Sequence, residues 1–158
     1  MLVSSSGRAD NEEQRTTRDL LIRSTLAGKY SSIAARTAPA LLAPGHDHDS
    51  NLVQQVRDLA EAAGPEAFVA HLTAIRRRPD SFDLLPQIRT PTLIVAGNQD
   101  RVTPIAEQQA MAAAIPGANL HLLDICGHMP PLEQPVRLAA VITGFLKAQT
   151  GGSQIGQG

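Results

Sequence analysis

The chain has 158 residues, of which 42% are hydrophobic and 18% charged, so intrinsic disorder is excluded as the default and one globular domain is expected. Its 14 Lys and Arg residues against 15 Asp and Glu residues give a formal net charge of −1, which argues against a nucleic-acid partner. One cysteine, Cys126, excludes an internal disulfide, and without a membrane-spanning run or a secretory signal we expect a cytoplasmic protein with no membrane partner.

The first 80 residues predict the end of a strand followed by helices. Residues 1–9 contain Leu2-Val3, which is typical of the last residues of a strand. Residues 10–80 predict a helical subdomain, because capping residues, glycines and prolines divide the apolar periodicity into four short segments with no strand between them. The four predicted helices are 10–28 capped by Asp10, 31–42 ending before Pro44-Gly45, 51–64 capped by Ser50 or Asn51, and 65–79 starting at Pro65.

Residues 81–149 predict alternating strands and helices. A short helical turn over 82–88 precedes an apolar run from Thr92 to Ala96, and such a run is typical of a parallel strand buried on both faces. The next predicted elements are a helix over 103–114 capped at Thr103, a strand over 119–123 and a helix over 135–149. This order predicts an α/β fold with a parallel sheet. The glycine-rich residues 150–158 predict a disordered tail.

Two ionisable residues follow the predicted strands, at the edge where ligands gather in open α/β sheets. Asp100 lies in the loop after the first strand, and His128 lies in the loop after the second. If the strands are adjacent and parallel, both loops reach one edge of the sheet. A carboxylate beside a histidine fixes its tautomer, which is what a general base requires.

Both residues lie in motifs that resemble those of a known family. Residues 82–104, which include IRTPTLIVAGNQDRVTP, resemble the acid-bearing segment of the α/β-hydrolase superfamily, and residues 126–135, CGHMPPLEQP, resemble its histidine loop. The resemblance implies that Asp100 is the acid and His128 the base of a Ser-His-Asp triad, and that residues 10–80 are the family's lid. It also implies a carboxylesterase or enol-lactonase type of hydrolase that acts on small-molecule esters or lactones without a metal or organic cofactor.

The nucleophile motif of that family is not found in this sequence. In the family a serine lies on a G-x-S-x-G turn upstream of the acid and the base, and no serine of this chain has those flanking glycines. We therefore expect a partial α/β-hydrolase fold, in which a helical lid precedes a short parallel strand–helix–strand–helix unit and the amino-terminal half is missing. An open sheet edge would then let the chain self-associate or bind a separate amino-terminal half. The alternative is a non-catalytic lid or binding fragment, so the sequence leaves open whether the chain alone is an enzyme.

Several of these residues also have purely structural explanations. Asp100 alone would be compatible with an Asx-type turn, and His128 alone with a solvated loop residue. Glu133 is expected to anchor the loop or the last helix. Cys126 is expected to pack in the core, since a thiol two residues from a histidine rarely meets it in an activated geometry. The run His46-Asp47-His48-Asp49 lacks the spacing of a zinc site, so a solvated loop is expected there.

Overall fold

A computed structural model describes residues 1–151, in which three short strands are combined with helices. The elements are β1 (Leu2–Val3), α1 (Glu12–Ser24), α2 (Tyr30–Thr37), α3 (Ser50–Arg77), β2 (Leu93–Gly97), α4 (Ile105–Ala114), β3 (Asn119–Leu123), α5 (Pro130–Glu133) and α6 (Pro135–Gly151). Short helical turns lie at Thr25–Lys29, Ala38–Leu41 and Phe82–Gln87.

The three strands form one parallel sheet in the order β1-β2-β3, so β2 is the central strand. All five residues of β2 are buried, because α6 covers the face of Leu93 and Val95 whereas α4 covers the face of Ile94. A strand covered on both faces requires apolar residues without alternation, which is the pattern of this segment. The predicted α/β class with a parallel sheet is confirmed.

Helix α1 begins one residue later than its predicted cap implies. Asn11, and not Asp10, is the cap: the Asn11 side chain accepts the Gln14 amide, and the Gln14 side chain accepts the Asn11 amide. The carboxylate of Asp10 is instead paired with the guanidinium of Arg18, with a second contact at 3.0 Å. The prediction that Asp10 caps the helix is therefore wrong because a tertiary ion pair binds its side chain.

The third and fourth predicted helices are joined in α3, which is interrupted at Gly64. This residue has φ +80° and ψ 169°, a conformation that favours glycine, and the helix resumes at Pro65. The cap of α3 is Asp49, whose carboxylate accepts the Asn51 amide at 2.8 Å. The predicted caps, Ser50 and Asn51, instead lie in the first turn of the helix.

The helical part of the chain, which comprises α1, α2, α3 and the segments between them, packs against the loop that follows β3. Ala38, Leu42, Val53 and Val56 form a buried cluster, and Met129 from that loop packs against it. The helices therefore lie beside the carboxyl edge of the sheet. The division of the chain into a strand remnant (1–9), a lid (10–80) and a core (81–149) stays a prediction.

Helix α6 continues to Gly151, so residues 150 and 151, which were expected in the tail, are helical. Residues 152–158 of that predicted tail lie outside the described residues. None of the helices within residues 1–151 has the length and apolar character needed to cross a lipid bilayer.

Candidate active site

Asp100 and His128 lie in the loops that follow β2 and β3, at the carboxyl edge of the sheet. His128 Nδ1 is 2.9 Å from Asp100 Oδ2. Because β2 and β3 are adjacent and parallel, the loops that follow them emerge side by side. Asp100 and His128, which the sequence predicted to meet at this edge, are therefore in direct contact.

Asp100 is a buried carboxylate whose two oxygens are both hydrogen-bonded. Its Oδ1 atom accepts the backbone amides of Val102 and Thr103 at 2.8 and 2.9 Å, and Oδ2 accepts the Thr103 hydroxyl at 2.7 Å. Burial by itself raises the pKa of this carboxyl, but the hydrogen bonds from His128 and Thr103 outweigh burial and lower the pKa from 3.8 to about 2. Asp100 is therefore ionised at neutral pH.

The ionised Asp100 determines the tautomer of His128. A carboxylate accepts hydrogen bonds and does not donate them, so Nδ1 donates and the neutral imidazole keeps its lone pair on Nε2. The His128 side chain is 24% exposed, whereas the Asp100 side chain is fully buried. An imidazole that is oriented by a buried carboxylate and partly open to solvent has the arrangement of a general base.

His128 lines a cavity of about 410 Å³ at this edge of the sheet. The segment after β1 forms part of its wall, including Ser4, whose φ of +43° is rare for a residue with a side chain. The buried hydroxyl of Ser4 has no hydrogen-bond partner among the described residues. None of the hydrogen bonds within residues 1–151 joins a serine hydroxyl to His128. Among the described residues, the cavity is therefore lined by a histidine that Asp100 orients and to which no serine hydroxyl is paired.

Two glycines let backbone segments approach closely behind the Asp100–His128 pair. A Cβ atom at Gly97 would overlap the carbonyl groups of Cys126 and Gly127, and a Cβ atom at Gly127 would lie 2.5 Å from the Ala43 amide nitrogen. Backbone atoms cannot rotate away as side chains do. The end of β2, the histidine loop and the connection between α2 and α3 are therefore packed backbone against backbone.

Cys126 is not placed for nucleophilic chemistry. Its side chain is buried, with Sγ 3.9 Å from Glu133 Oε1. Burial, followed by the negative charges of Glu133 and Asp100, raises the pKa of the thiol to about 12. A thiol with this pKa is not ionised near neutral pH, so its environment supports the packing role that the sequence predicts.

The four-residue run that begins at His46 directs its side chains to different partners. His46 Nδ1 lies 3.0 Å from Glu133 Oε2, whereas Asp47 pairs with Arg101 at 3.4 Å. His46 lies in a partly exposed loop, as predicted, but its side chain, which is 29% exposed, also contacts the buried Glu133 carboxylate. Within residues 1–151 no group of three or more His, Cys, Asp or Glu side chains is arranged to hold a metal ion.

Two residues near Asp100 have contacts that the sequence analysis did not predict. Thr103 is predicted to cap α4, but its hydroxyl donates to Asp100 and the helix begins at Ile105. Arg101 reaches the helical part, where its guanidinium donates to the Leu42 carbonyl at 2.9 Å. A threonine three residues after a turn aspartate is a pattern for local side-chain hydrogen bonding, so Thr103 had a signal. The contact of Arg101 had none, since it depends on how the helices pack.

Comparisons with known proteins agree with this architecture. A sequence model described as "Alpha/beta hydrolase family" matches residues 5–141. The 2-hydroxy-6-oxononadienedioate/2-hydroxy-6-oxononatrienedioate hydrolase 2 of Pseudomonas putida is 31% identical over 102 residues, which are 65% of this chain and 30% of that protein.

Two solved structures are similar in fold to this chain. A malate-bound thermophilic esterase from Thermogutta terrifontis has a TM-score of 0.86 at 30% identity, and the match covers 93% of this chain and 54% of the esterase. The enol-lactonase from Burkholderia xenovorans LB400 has a TM-score of 0.79 at 20% identity, covering 92% of this chain and 54% of the lactonase. The chain spans about half the length of these structures and 20% to 40% of the length of eight curated relatives that it matches.

Proposed function

We propose that this chain, which belongs to the alpha/beta hydrolase family, provides the acid and the base of a serine hydrolase for ester or lactone bonds of small molecules. A serine hydroxyl attacks the carbonyl carbon while His128 Nε2 accepts the hydroxyl proton, and this proton goes to the leaving oxygen as its bond to the carbonyl carbon breaks. Water, deprotonated by the same His128, then cleaves the acyl-serine, which releases the acid and returns the proton to the serine. Asp100 keeps His128 in the productive tautomer and stabilises the imidazolium. The observation that carries the proposal is the 2.9 Å contact between His128 Nδ1 and the buried Asp100 carboxylate.

The attacking serine is proposed to come from outside these 158 residues, since they contain no G-x-S-x-G turn. Strand β1 pairs with β2 on one side, and among the described strands none pairs with its other side. The residues that follow β1 line the cavity of His128. A parallel strand added at this edge would end beside the same cavity, so we propose that an amino-terminal half, which these 158 residues do not include, supplies this strand and the serine.

A second, mostly apolar cavity of about 250 Å³ is proposed to take the apolar part of the substrate. Side chains of the helical part line it, among them Tyr30, Val56 and Phe68. Met129, the residue after His128, also lines it, so the cavity lies next to the histidine loop. Such a wall favours an alkyl or aryl group over a charged one.

The experiment measures hydrolysis of p-nitrophenyl butyrate by two proteins. One is the chain alone, and the other is the chain joined to the portion of the Thermogutta esterase that it does not match. We expect activity in the joined protein, reduced roughly 10⁴-fold by Asp100→Asn and at least as strongly by His128→Gln. His121→Gln is the matched control, because His121 is an exposed histidine of β3 and should leave the rate unchanged.

Two outcomes would contradict the proposed function. Activity of the chain alone that both Asp100→Asn and His128→Gln abolish would refute the proposal of an external serine. A folded but inactive joined protein would favour the second candidate, a non-catalytic lid or binding fragment, which the missing nucleophile motif also supports.

A further inference from the structure

Glu133 is a buried carboxylate that contacts the backbone on both sides of His128. Its side chain has no exposed surface. The Oε1 atom accepts the Gly127 amide at 2.9 Å and the Met129 amide at 3.2 Å. A single oxygen therefore binds the residue before the histidine and the residue after it.

The second oxygen of Glu133 binds the helical part of the chain. Its Oε2 atom accepts the Ala43 amide at 2.8 Å and lies 3.0 Å from His46 Nδ1. The amide of His128 itself donates to the Leu41 carbonyl at 2.8 Å, in the same connection between α2 and α3. Three consecutive amides of the histidine loop are thus bound, two by one carboxylate and one by the connection that this carboxylate also binds.

We infer that Glu133 is a positioning residue for His128, which fixes the loop backbone so that the imidazole meets Asp100. The importance of this role for catalysis rests on the proposed function, whereas the contacts of Glu133 do not depend on it. Rotation of the peptide groups around His128 would turn Nδ1 away from Asp100, and the amides bound to Glu133 oppose that rotation. An oxygen that accepts two amides and a second oxygen that faces two donors require a full carboxylate.

Glutamine is the sharpest substitution at this position, because it keeps the size of the side chain. Its single oxygen can serve either the loop amides or the Ala43 amide, and its NH₂ group then faces donors on the other side. In Glu133→Gln we expect the histidine loop to lose its fixed orientation. His46→Ala removes one donor and leaves the contacts of Oε1 intact, so the loop should keep its orientation in that variant.

The readout is the tautomer of His128 in its neutral form, measured from the ¹⁵N shifts of the two imidazole nitrogens. The wild-type chain and His46→Ala should show the Nδ1–H tautomer, and Glu133→Gln should show a mixture. Ile115→Ala is the control for stability alone, since it truncates a buried side chain of the cluster between β2 and α4, which contains no residue of the histidine loop. It should lower the melting temperature and leave the tautomer unchanged.

Several results would overturn the inference. They are a Glu133→Gln variant with the wild-type tautomer, an Ile115→Ala variant that shows the same mixture, and a wild-type chain without the Nδ1–H tautomer. If Glu133→Gln does not fold, Glu133→Asp takes its place. Aspartate keeps both carboxylate oxygens on a shorter side chain, so this variant should also show a mixture of His128 tautomers. An inactive joined hydrolase would leave the tautomer result standing, so the two proposals fail independently.

Discussion

The hydroxyl of Thr103 lies 2.7 Å from Asp100 Oδ2, the same oxygen that faces His128. The amide of Thr103 donates to the other oxygen, Oδ1. One residue therefore binds both oxygens of the acid and leaves Asp100 little freedom to rotate. Because these hydrogen bonds favour the charged form, they also contribute to the low pKa of Asp100.

Replacing Thr103 by valine keeps its shape and removes the hydroxyl donor. We expect Thr103→Val to raise the pKa of Asp100 from its value of about 2 and to lower the free energy of unfolding by about 1.5–3 kcal/mol, since the lost hydrogen bond is to a charged group. Thr103→Ser retains the hydroxyl, so the Asp100 carboxyl of this variant should titrate as it does in the wild type. The ¹³C shift of the Asp100 carboxyl, followed against pH, measures the first effect, and urea unfolding measures the second. Equal titration of the valine and serine variants would contradict the prediction.

The low pKa of Asp100 also makes stability depend on pH. The folded pKa of about 2 lies below the ordinary value of 3.8, so the unfolded chain binds the proton more tightly. The stabilisation is therefore present above about pH 4 and is lost as the pH falls toward about 2, and it amounts to about 2 kcal/mol. Unfolding free energies of the wild type and Asp100→Asn, measured by urea across this range, should converge by that amount. A difference that stays constant with pH would show that Asp100 is not the group responsible.

The strands and the contact between Asp100 and His128 could be predicted because local patterns determine them. An unbroken apolar run identifies β2, and the loops of Asp100 and His128 must meet once two adjacent strands are parallel. The helix caps could not be predicted with the same certainty. Asp10 and Asn11 are both good capping residues, and the choice between them depends on Arg18, which binds the first of them.

Contacts between the helices of residues 10–80 and the histidine loop had no local signal. His46 and Glu133 are 87 positions apart, and nothing near either residue indicates that they meet. Their contact depends on the packing of the helical part against the histidine loop, where Gly127 permits the close approach. A pattern confined to one segment cannot contain that information.

Cys126 should be unreactive in the folded protein. Its thiol is buried, and its pKa is raised to about 12, so the thiolate that alkylating reagents require is scarce near neutral pH. Iodoacetamide should leave the native chain unlabelled and should label it rapidly in urea, as mass spectrometry would show. The result is unambiguous because the chain has one cysteine. Labelling of the native chain at the rate of a free thiol would mean that the histidine loop opens readily.

The close approach at Gly97 predicts a large cost for a single methyl group. Gly97→Ala would place its Cβ against the carbonyl groups of Cys126 and Gly127, so either β2 or the histidine loop must move. We expect a loss of about 3 kcal/mol in the free energy of unfolding, at the upper end of the cost of overpacking. Movement of the loop should also change the ¹⁵N shifts of His128, because its orientation toward Asp100 depends on the same backbone.

The matched control is Gly144→Ala in α6, where a Cβ atom would meet nothing within 4 Å. Alanine is the better helix former, so this variant should gain about 0.5–1 kcal/mol and keep the His128 shifts of the wild type. Thermal and urea unfolding of Gly97→Ala and Gly144→Ala should therefore change in opposite directions. If Gly97→Ala unfolded like the wild type, the backbone of β2 and that of the histidine loop would have to lie farther apart than the structure places them.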